Sequence, residues 1–581
     1  MLLKGKNNAV GQLYAGIGGL ATTCQITAGH TFTGIETPFN MTIYDLSETN
    51  DVINYEIATV TNIAINVGYD TFSITRAQEG TSAQGHLIGK NCANLITYGI
   101  VDGINDAIGT QTYTEQNFVT NGESATDSLD AIDVGLSSHL AEIAPSPEVF
   151  GVYWDKGATP TLTRLNAGRG AVVNLGVDST KVLNEFDSSS LFLDWEEVTD
   201  TLGNVFIRIP KTYLKKEDTT DYKTWFASRR RFDGCYLPWC FWDFDNGVEL
   251  DYIDVGKHLA SLGAGNKLES KPNVYPAVNI NIVNFRTYAQ NNNVGGLNGY
   301  QQLDIHVIDL LHTLFYIEQA TLNSQSKVAG YTSGQYVTTH TALATESGAN
   351  RILLTNAQGA LYEVGQSISV GTSLGGNQIF YGRTITSKDV DAPSAGQTAI
   401  NFDGAPVNIT TGNIVYNTGY KTGFSTNIAS SVGSINSNSS GKHPFVWHGI
   451  ESLFGDVFQF VDGANINEYQ TWVCKDAKSY ASNVFTSPYE QLGYVNANAD
   501  GYIKALGFDE NYPFANFPTE TGGSTTTYYS DYYYRNTGQR IAHVGGYWIS
   551  RSNAGLSYWV LVDTSSTAGV IIGARLLKKP L

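Results

Sequence analysis

His448-Gly449-Ile450-Glu451-Ser452-Leu453-Phe454-Gly455-Asp456-Val457-Phe458-Gln459-Phe460-Val461-Asp462-Gly463 is the run whose reading decides the fold. Its glycines permit tight backbone approach. Leu453, Val457 and Phe460 supply core contacts. Glu451, Asp456 and Asp462 are placed to tie loops together, through hydrogen bonds or through a cation. The continuation Asp462-Gly463-Ala464-Asn465-Ile466-Asn467 gathers three oxygen-bearing side chains in six residues. That fits a single structural cation or a hydrogen-bonded turn.

Downstream, Gly545-Gly546-Tyr547-Trp548 through Gly573-Ala574-Arg575-Leu576 reads as a turn, a strand, a loop and a closing strand. Alternate residues of a strand face opposite ways. With Leu556, Tyr558, Val560 and Val562 inward, Ser557, Trp559 and Leu561 are expected outward. Ile549-Ser550-Arg551-Ser552-Asn553 forms a polar loop with an isolated Ile. Rigid aromatics beside small polar residues make the palette of a recognition surface. The alternative is an ordinary strand pair closing a core. The run Tyr528-Tyr529-Ser530-Asp531-Tyr532-Tyr533-Tyr534-Arg535 is expected to line the same face.

Upstream, a further part begins at Phe150–Lys156 and continues through Pro160–Arg164, and strands are expected after it, notably at Val205–Tyr213. An amphipathic helix is expected over Asp304–Ser324, burying Ile305, Ile308, Leu311, Leu314, Phe315 and Ile317. From Ser326 to about Gly423 the composition turns to Gly, Thr, Ser and Asn with β alternation, and the flanks read as continuous without it. This is expected to be an inserted β module, at 326–424, followed by an exposed loop over Ser430–Ser440. The parts at 148–325 and 425–581 then form one domain. Residues 1–98 read as a small β domain, with alternation at Met41–Tyr44, Tyr55–Val60 and Ile63–Val67. At 99–147 the period changes: Ile100, Ile104 and Ile108 make a helical stripe, and Leu129, Ile132, Leu136 and Ile143 a short heptad seam. This fits the neck of a trimer, or a helix packed on its own domain. Ala144-Pro145-Ser146-Pro147 ends it. The fold class expected is therefore multidomain and mostly β, with an α+β head.

The chain has 581 residues, a formal charge of −19 and only 15% charged residues, with 60 Gly and 34 Tyr. It is too aromatic and too poor in charge for a disordered chain. Its acidity argues against nucleic acid or membrane insertion as its business. No stretch near Met1 suits a signal peptide, so synthesis in a cytoplasm is expected. Cys24, Cys92, Cys235, Cys240 and Cys474 are odd in number and scattered. They read as buried thiols rather than disulfides or a zinc site.

The run at His448–Gly463 resembles the Gly-Ile-Glu-Asn-Leu-x-Gly-Asn-Val-x-Glu-Trp-Val-Asp-Gly signature of the C-type-lectin-like fold. Formylglycine-generating enzymes, phage receptor-binding heads and tropism determinants diversified by retroelements share that fold. Gly545-Gly546-x-Trp548, Ala554-Gly555 and Gly573-x-Arg575-Leu576 fit the same frame. With Tyr153-Trp154-Asp155, Ser228 and Ile317–Thr321, the likeness covers roughly 148–325 and 425–581. Separately, Thr71–Thr81 with its Arg76-Ala77-Gln78-Glu79-Gly80-Thr81 turn is similar to a segment of phage tail-fibre and baseplate attachment domains. The resemblance implies a structural frame of Gly449, Glu451, Gly455, Asp456, Asp462, Gly463, Trp548, Gly573 and Arg575. It implies ligand contacts at Tyr547, Ile549, Ser550, Arg551, Ser552, Asn553, Ser557, Trp559 and Leu561. This chain departs from the pattern with Asp456 for Asn and Gln459-Phe460 for Glu-Trp. It lacks a Glu-Pro-Asn type calcium loop, so neither calcium nor sugar is implied. No Cys follows Cys474, so the ligands for oxygen chemistry are missing. No cofactor or metal is expected.

Asp243, Asp245, Glu249 and Asp251 are the residue type of glycosidase carboxylates but crowd one short stretch with no partner across a groove, and a solvated acidic loop accounts for them better. No nucleophile elbow, zinc helix or phosphate loop occurs in the sequence. The expectation is a non-enzymatic phage tail receptor-binding protein: a trimeric adhesin of the virion tail tip or fibre. Its head would bind a host bacterial surface receptor and its N-terminal domain other tail or baseplate proteins. The resemblance also implies that such a head can be a target of a diversity-generating retroelement. The alternatives are a tail-borne polysaccharide depolymerase and a structural baseplate component.

Overall fold

The computed structural model describes residues 10–12, 21–27, 39–46, 52–65, 69–75, 91–93 and 148–581, and the protein is mostly β. The expected neck at 99–147 and the Arg76–Thr81 turn lie outside these residues. The chain divides into two compact units, 1–144 and 145–581.

In the first unit the described strands form one antiparallel sheet. Its order is Val10–Gln12, Asn91–Ala93, Phe39–Leu46, Val52–Ile65, Tyr69–Thr75, Thr23–Thr27. Along Tyr69–Thr75 every second residue is buried and the others are half-buried or exposed, as one covered sheet face requires. Cys24, Ile26, Val60, Phe72 and Ile74 are buried there.

The second unit is built around a nine-stranded sheet running from Glu490–Val495 to Pro518–Thr521, with Phe458–Asn467, Gln539–Val544 and Trp559–Leu561 inside it. Two helices matter for position. Helix α1 (Ile282–Gln290) starts at Asn281, whose side chain accepts the Asn284 N–H. Helix α2 (Ile305–Gln319) starts at Asp304, whose Oδ1 accepts the N–H groups of His306 and Val307 at 3.1 and 3.0 Å. It stops at Ala320, which takes a left-handed conformation.

Helix α2 is not amphipathic, contrary to expectation. Every residue of it is buried except the half-buried His312. It packs on the strands Phe150–Trp154, Lys223–Ser228 and Phe458–Asn467. The polar residues that read as a solvent face are paired inside the core. The Asp309 carboxylate accepts from the Tyr236 hydroxyl at 2.7 Å and meets the Lys216 ammonium. Glu318 accepts from Asn184 Nδ2 at 2.7 Å and Trp447 Nε1 at 2.5 Å, and lies 2.8 Å from His448 Nε2. Burial pushes the Glu318 carboxyl up, but His448 and these donors outweigh it and hold it below its ordinary value.

Residues 342–415 build a separate core of Ile352, Leu354, Ile368, Val370, Ile400 and Val415. Its antiparallel sheet runs Arg351–Thr355, Gln397–Phe402, Gly376–Val390, Ser367–Ser373, Ile414–Asn417. The chain leaves the head and returns at one spot. Gln335 N–H donates to Asn417 Oδ1 at 2.7 Å, and Asn417 N–H donates to the Gln335 carbonyl at 2.7 Å.

The Ser-rich stretch at 430–440 is not the exposed loop expected. Val432–Ser434 is a strand, parallel to Gly176–Val177 and antiparallel to Phe445–Trp447. Small hydroxyls suit an interior when they are satisfied. Ser430 donates to the Thr180 carbonyl at 2.6 Å and Ser434 to the Pro444 carbonyl at 2.7 Å. Cys24, Cys240 and Cys474 are buried free thiols, whereas Cys235 is only half-buried.

Candidate recognition face

The frame residues weld loops together. Arg575 is buried, and its guanidinium donates to Gln459 Oε1 at 2.8 Å. It also donates to the carbonyls of Gly256, Lys257, Glu451 and Ser452 at 2.8, 3.3, 2.7 and 3.0 Å. Glu451 accepts from Gly423 N, Ser425 N and the Ser425 hydroxyl, and lies 2.8 Å from His258 Nδ1. One carboxylate thus pins the chain where it returns from the module. Asp456 accepts from Tyr420 N at 2.6 Å and the Ser452 hydroxyl at 3.2 Å. It has no cation in direct contact, and burial pushes its carboxyl up to about 7.

Gly449 has a positive φ of 85°, and a Cβ there would stand 2.5 Å from Ile207 Cδ1. Gly455 donates its N–H to the Gly545 carbonyl, and the Ile572–Gly573 strand pairs with Phe458–Gln459. The acidic run after Gln459 is a hydrogen-bonded one. Asp462 forms a bidentate pair with Arg286 at 2.7 and 2.8 Å and accepts from Gln302 and from Gly463 N. Among the described residues no group of three or more His, Cys, Asp or Glu side chains is arranged for a metal ion.

The strand Trp559–Leu561 corrects the sequence reading. Ser557, Trp559 and Leu561, expected outward, are 0%, 2% and 1% exposed. Trp559 and Leu561 enter the core that holds Tyr533 and Phe517, while Tyr558 and Val560 enter the core of Phe285 and Phe460. The Ser557 hydroxyl meets the Tyr316 hydroxyl at 2.7 Å. The physical reason is that this strand lies inside the sheet, between Gln539–Val544 and Tyr532–Arg535, with a core on each face. A strand covered on both faces carries apolar residues in both alternating sets.

The loop expectation fares differently. Arg551 and Ser552 are exposed, Tyr547, Ile549 and Asn553 half-buried, and Ser550 buried. The Ser550 hydroxyl accepts the Tyr547 N–H at 2.9 Å. The backbone is pinned on both sides. Trp548, itself buried, accepts the Gly334 N–H on its carbonyl at 2.6 Å and donates its own N–H to the Asp456 carbonyl at 3.0 Å. Arg551 donates its N–H to the Thr332 carbonyl at 2.9 Å and accepts from Gln325 Nε2 at 2.6 Å.

Beside this loop the tyrosine run behaves as an alternating strand. Tyr533 is buried, while Tyr532 and Tyr534 are half-exposed on the other face. They belong to an unbroken path of aromatic rings. From Tyr502 the path passes to Tyr532 at 5.0 Å, Tyr534 at 4.6 Å, Tyr558 at 6.2 Å and Phe458 at 5.2 Å. It continues to Tyr547 at 5.3 Å, Trp548 at 5.6 Å, Tyr336 at 6.2 Å and Tyr416 at 5.4 Å. These are centroid separations at which rings attract each other. Tyr502, Tyr532, Tyr534, Tyr547 and Tyr336 are the half-exposed members. Burial raises the hydroxyl pKa of Tyr532, Tyr547 and Tyr336, keeping them neutral donors.

Tyr502 and Tyr336 were missed from sequence. Tyr502 carried a faint signal, alternating with the buried Ile503. Tyr336 carried none, because it reaches the loop from more than two hundred residues away in the chain.

The acidic segment at 243–251 is committed elsewhere. Asp243 is buried and caps its own turn through Asp245 N and Asn246. Glu249 accepts from the Tyr213 hydroxyl at 2.7 Å and pairs with Lys211 and Arg231. A cleft of about 330 Å³ is lined by Glu148, Arg169, Glu185 and Ser189, and by no residue of the 547–553 loop.

Compared with known protein families and with curated proteins, the chain matches none.

Proposed function

We propose that the protein is a phage tail receptor-binding protein, an adhesin whose contact surface is the loop 547–553 together with the half-exposed tyrosines beside it. The observation that carries this reading is the contrast within one loop. Its backbone is pinned to Thr332, Gly334, Gln325 and Asp456, while Arg551 and Ser552 face solvent. A rigid backbone with outward side chains lowers the ordering cost of binding. Tyr532, Tyr534, Tyr547 and Tyr502 supply stiff, amphipathic contact area.

In this reading the N-terminal β unit attaches to other tail or baseplate proteins, and a helical neck gathers three copies. The C-type-lectin-like head then meets the bacterial surface receptor. Three linked heads raise effective concentration and make modest single-site affinity sufficient. The main-chain anchors at Trp548 and Arg551 do not depend on the side chains of Arg551 and Ser552, so exchange there leaves the loop pinned. That is what a diversified target requires, and a reverse transcriptase gene beside the coding sequence would accompany it.

The test is adsorption of the purified full-length protein to a panel of bacterial strains. Wild type is expected to adsorb to some of them, and Tyr532→Ala/Tyr534→Ala to lose adsorption while still unfolding cooperatively, with a midpoint far less lowered than that of a core variant. Undiminished adsorption by that variant would remove the face from the reading. Release of reducing ends from cell-surface glycans would favour a depolymerase instead.

A further inference from the structure

Lys216 lies on the strand Tyr213–Asp218, where Leu214 and Lys216 are buried and Lys215 and Glu217 half-buried on the other face. Lys215 and Glu217 pair with each other there at 3.0 Å. Lys216 instead points into the core, with its side chain only 2% exposed. Its nitrogen meets three acceptors from distant parts of the chain. They are the Asp309 carboxylate on α2, the Pro513 carbonyl at 3.1 Å and the Asn516 Oδ1 at 2.5 Å. The carbonyl carbon of that side-chain amide is one bond, about 1.2 Å, beyond its oxygen.

A nucleophile, a proton carrier and an acyl carbon thus share one site. Its walls are Trp225, Ile305, Ile308, Leu506, Phe514 and Trp559. Both reaction partners are held in orientation. The Asn516 Nδ2 donates to the Gly507 carbonyl at 2.9 Å, which leaves Oδ1 facing Lys216. The second oxygen of Asp309 accepts from the Tyr236 hydroxyl at 2.7 Å. Burial lowers the pKa of the Lys216 ammonium and raises that of the Asp309 carboxyl. Passing one proton from nitrogen to carboxyl leaves two neutral groups, which an apolar interior prefers to two charged ones. The free amine is then a nucleophile.

A small cavity supplies the second observation. It measures about 20 Å³ and is lined by Lys216, Asp309, His312 and Asn516. That is room for one molecule the size of water or ammonia. Lys223, the other lysine on its wall, is taken up by Asp218 at 2.8 Å.

We infer that Lys216 and Asn516 become joined by an autocatalytic isopeptide bond, with Asp309 as the catalytic residue. Lys216 Nζ bonds to Asn516 Cγ, and the Cγ–Nδ2 bond breaks. Of the three protons on the Lys216 ammonium, one stays on the new amide. Asp309 relays the other two in turn to Nδ2, which leaves as ammonium. Asp309 ends as the carboxylate it began as, and no oxidant, reductant or cofactor enters. The bond closes a ring across 300 residues and ties the first part of the head to the second around the inserted module. Such a closure restricts the unfolded chain, as a disulfide over a long loop does. The inference stands apart from what the head binds.

The measurement is the mass of the purified full-length protein and of its tryptic peptides. Wild type is expected to weigh one ammonia less than its amino-acid sequence requires. Lys216 and Asn516 should then fall in one branched peptide, with no cleavage after Lys216. Asn516→Ala and Asp309→Asn are each expected to restore the full mass and to unfold cooperatively at a lower temperature than wild type. Asn516 is half-buried, so its variant keeps the test readable should Asp309→Asn fail to fold. Wild type at full mass, with Lys216 and Asn516 in separate peptides, overturns the inference. Loss of ammonia without a branched peptide marks a cyclised asparagine and overturns it as well. Loss of water with Lys216 joined to Asp309 does the same. A link formed equally in Asp309→Asn overturns the role given to Asp309.

Discussion

The Tyr502 hydroxyl donates to Asn553 Oδ1 at 2.8 Å and lies 3.1 Å from the Ser552 hydroxyl, so one phenol ties the strand Gly501–Leu506 to the exposed end of the loop. Tyr502→Phe keeps the ring and its 5.0 Å contact with Tyr532 but removes the tie. The expected cost in stability is about 1 kcal/mol, with a several-fold loss of adsorption. Thermal denaturation and cell binding, measured on the same preparation, check both halves.

Trp559 and Tyr534 separate folding from contact. Trp559 is buried against Phe517 at 4.6 Å, so Trp559→Ala is expected to cost about 3–5 kcal/mol and to lower the unfolding midpoint strongly. Tyr534 is half-exposed, and Tyr534→Ala is expected to cost far less while weakening adsorption. Denaturant titration of the two variants decides the matter. A Trp559→Ala protein as stable as wild type would contradict the burial.

These two residues also show what the sequence could and could not say. The acids of the 448–463 run stand out in the sequence, but the groups they tie, Ser425, Tyr420 and Arg286, lie 26, 36 and 176 residues away and were not legible from the run. Which alternating set of 556–562 points outward was not legible, since both sets are apolar and only the neighbouring strands decide that a core covers each. The pairing of Asp309 and Glu318 inside the core was not legible for the same reason. A charged residue paired inside a core looks, in one sequence, like one facing water. The aromatic path joins residues from five separate stretches, at 336, 416, 458, 502–534 and 547–558, and no single window of sequence contains it.

Asp456 makes stability depend on pH. Burial raises its carboxyl from an ordinary 3.8 to about 7, opposed by the Tyr420 N–H and the Ser452 hydroxyl. The folded chain therefore keeps a proton that the unfolded chain has lost. This contribution to stability is full below about pH 4 and falls as pH rises towards 7. Asp456→Asn keeps an acceptor for Tyr420 without the charge. It is expected to be near neutral at pH 4 and stabilising by about 1–3 kcal/mol at pH 8. Unfolding midpoints of both proteins across that range should converge at the acid end; parallel curves would show that Asp456 does not titrate.

Arg575 tests the weld. Burial lowers its guanidinium to about 10, and it remains the charged hub of five hydrogen bonds. A lysine cannot reproduce the planar fork. Arg575→Lys is expected to cost at least about 3 kcal/mol, because carbonyls of Gly256, Glu451 and Ser452 are left without a donor. Calorimetry on the full-length protein reads this directly.

The reciprocal pairing of Gln335 with Asn417 means that the polypeptide makes its long excursion through a single doorway. A detour with joined ends can be lengthened, traded or cut out by one genetic event, with no rethreading of the sheets behind it. Because Trp548 and Tyr336 meet just outside that doorway, such an exchange would reshape the outer surface in one step while the inner scaffold stayed as it was.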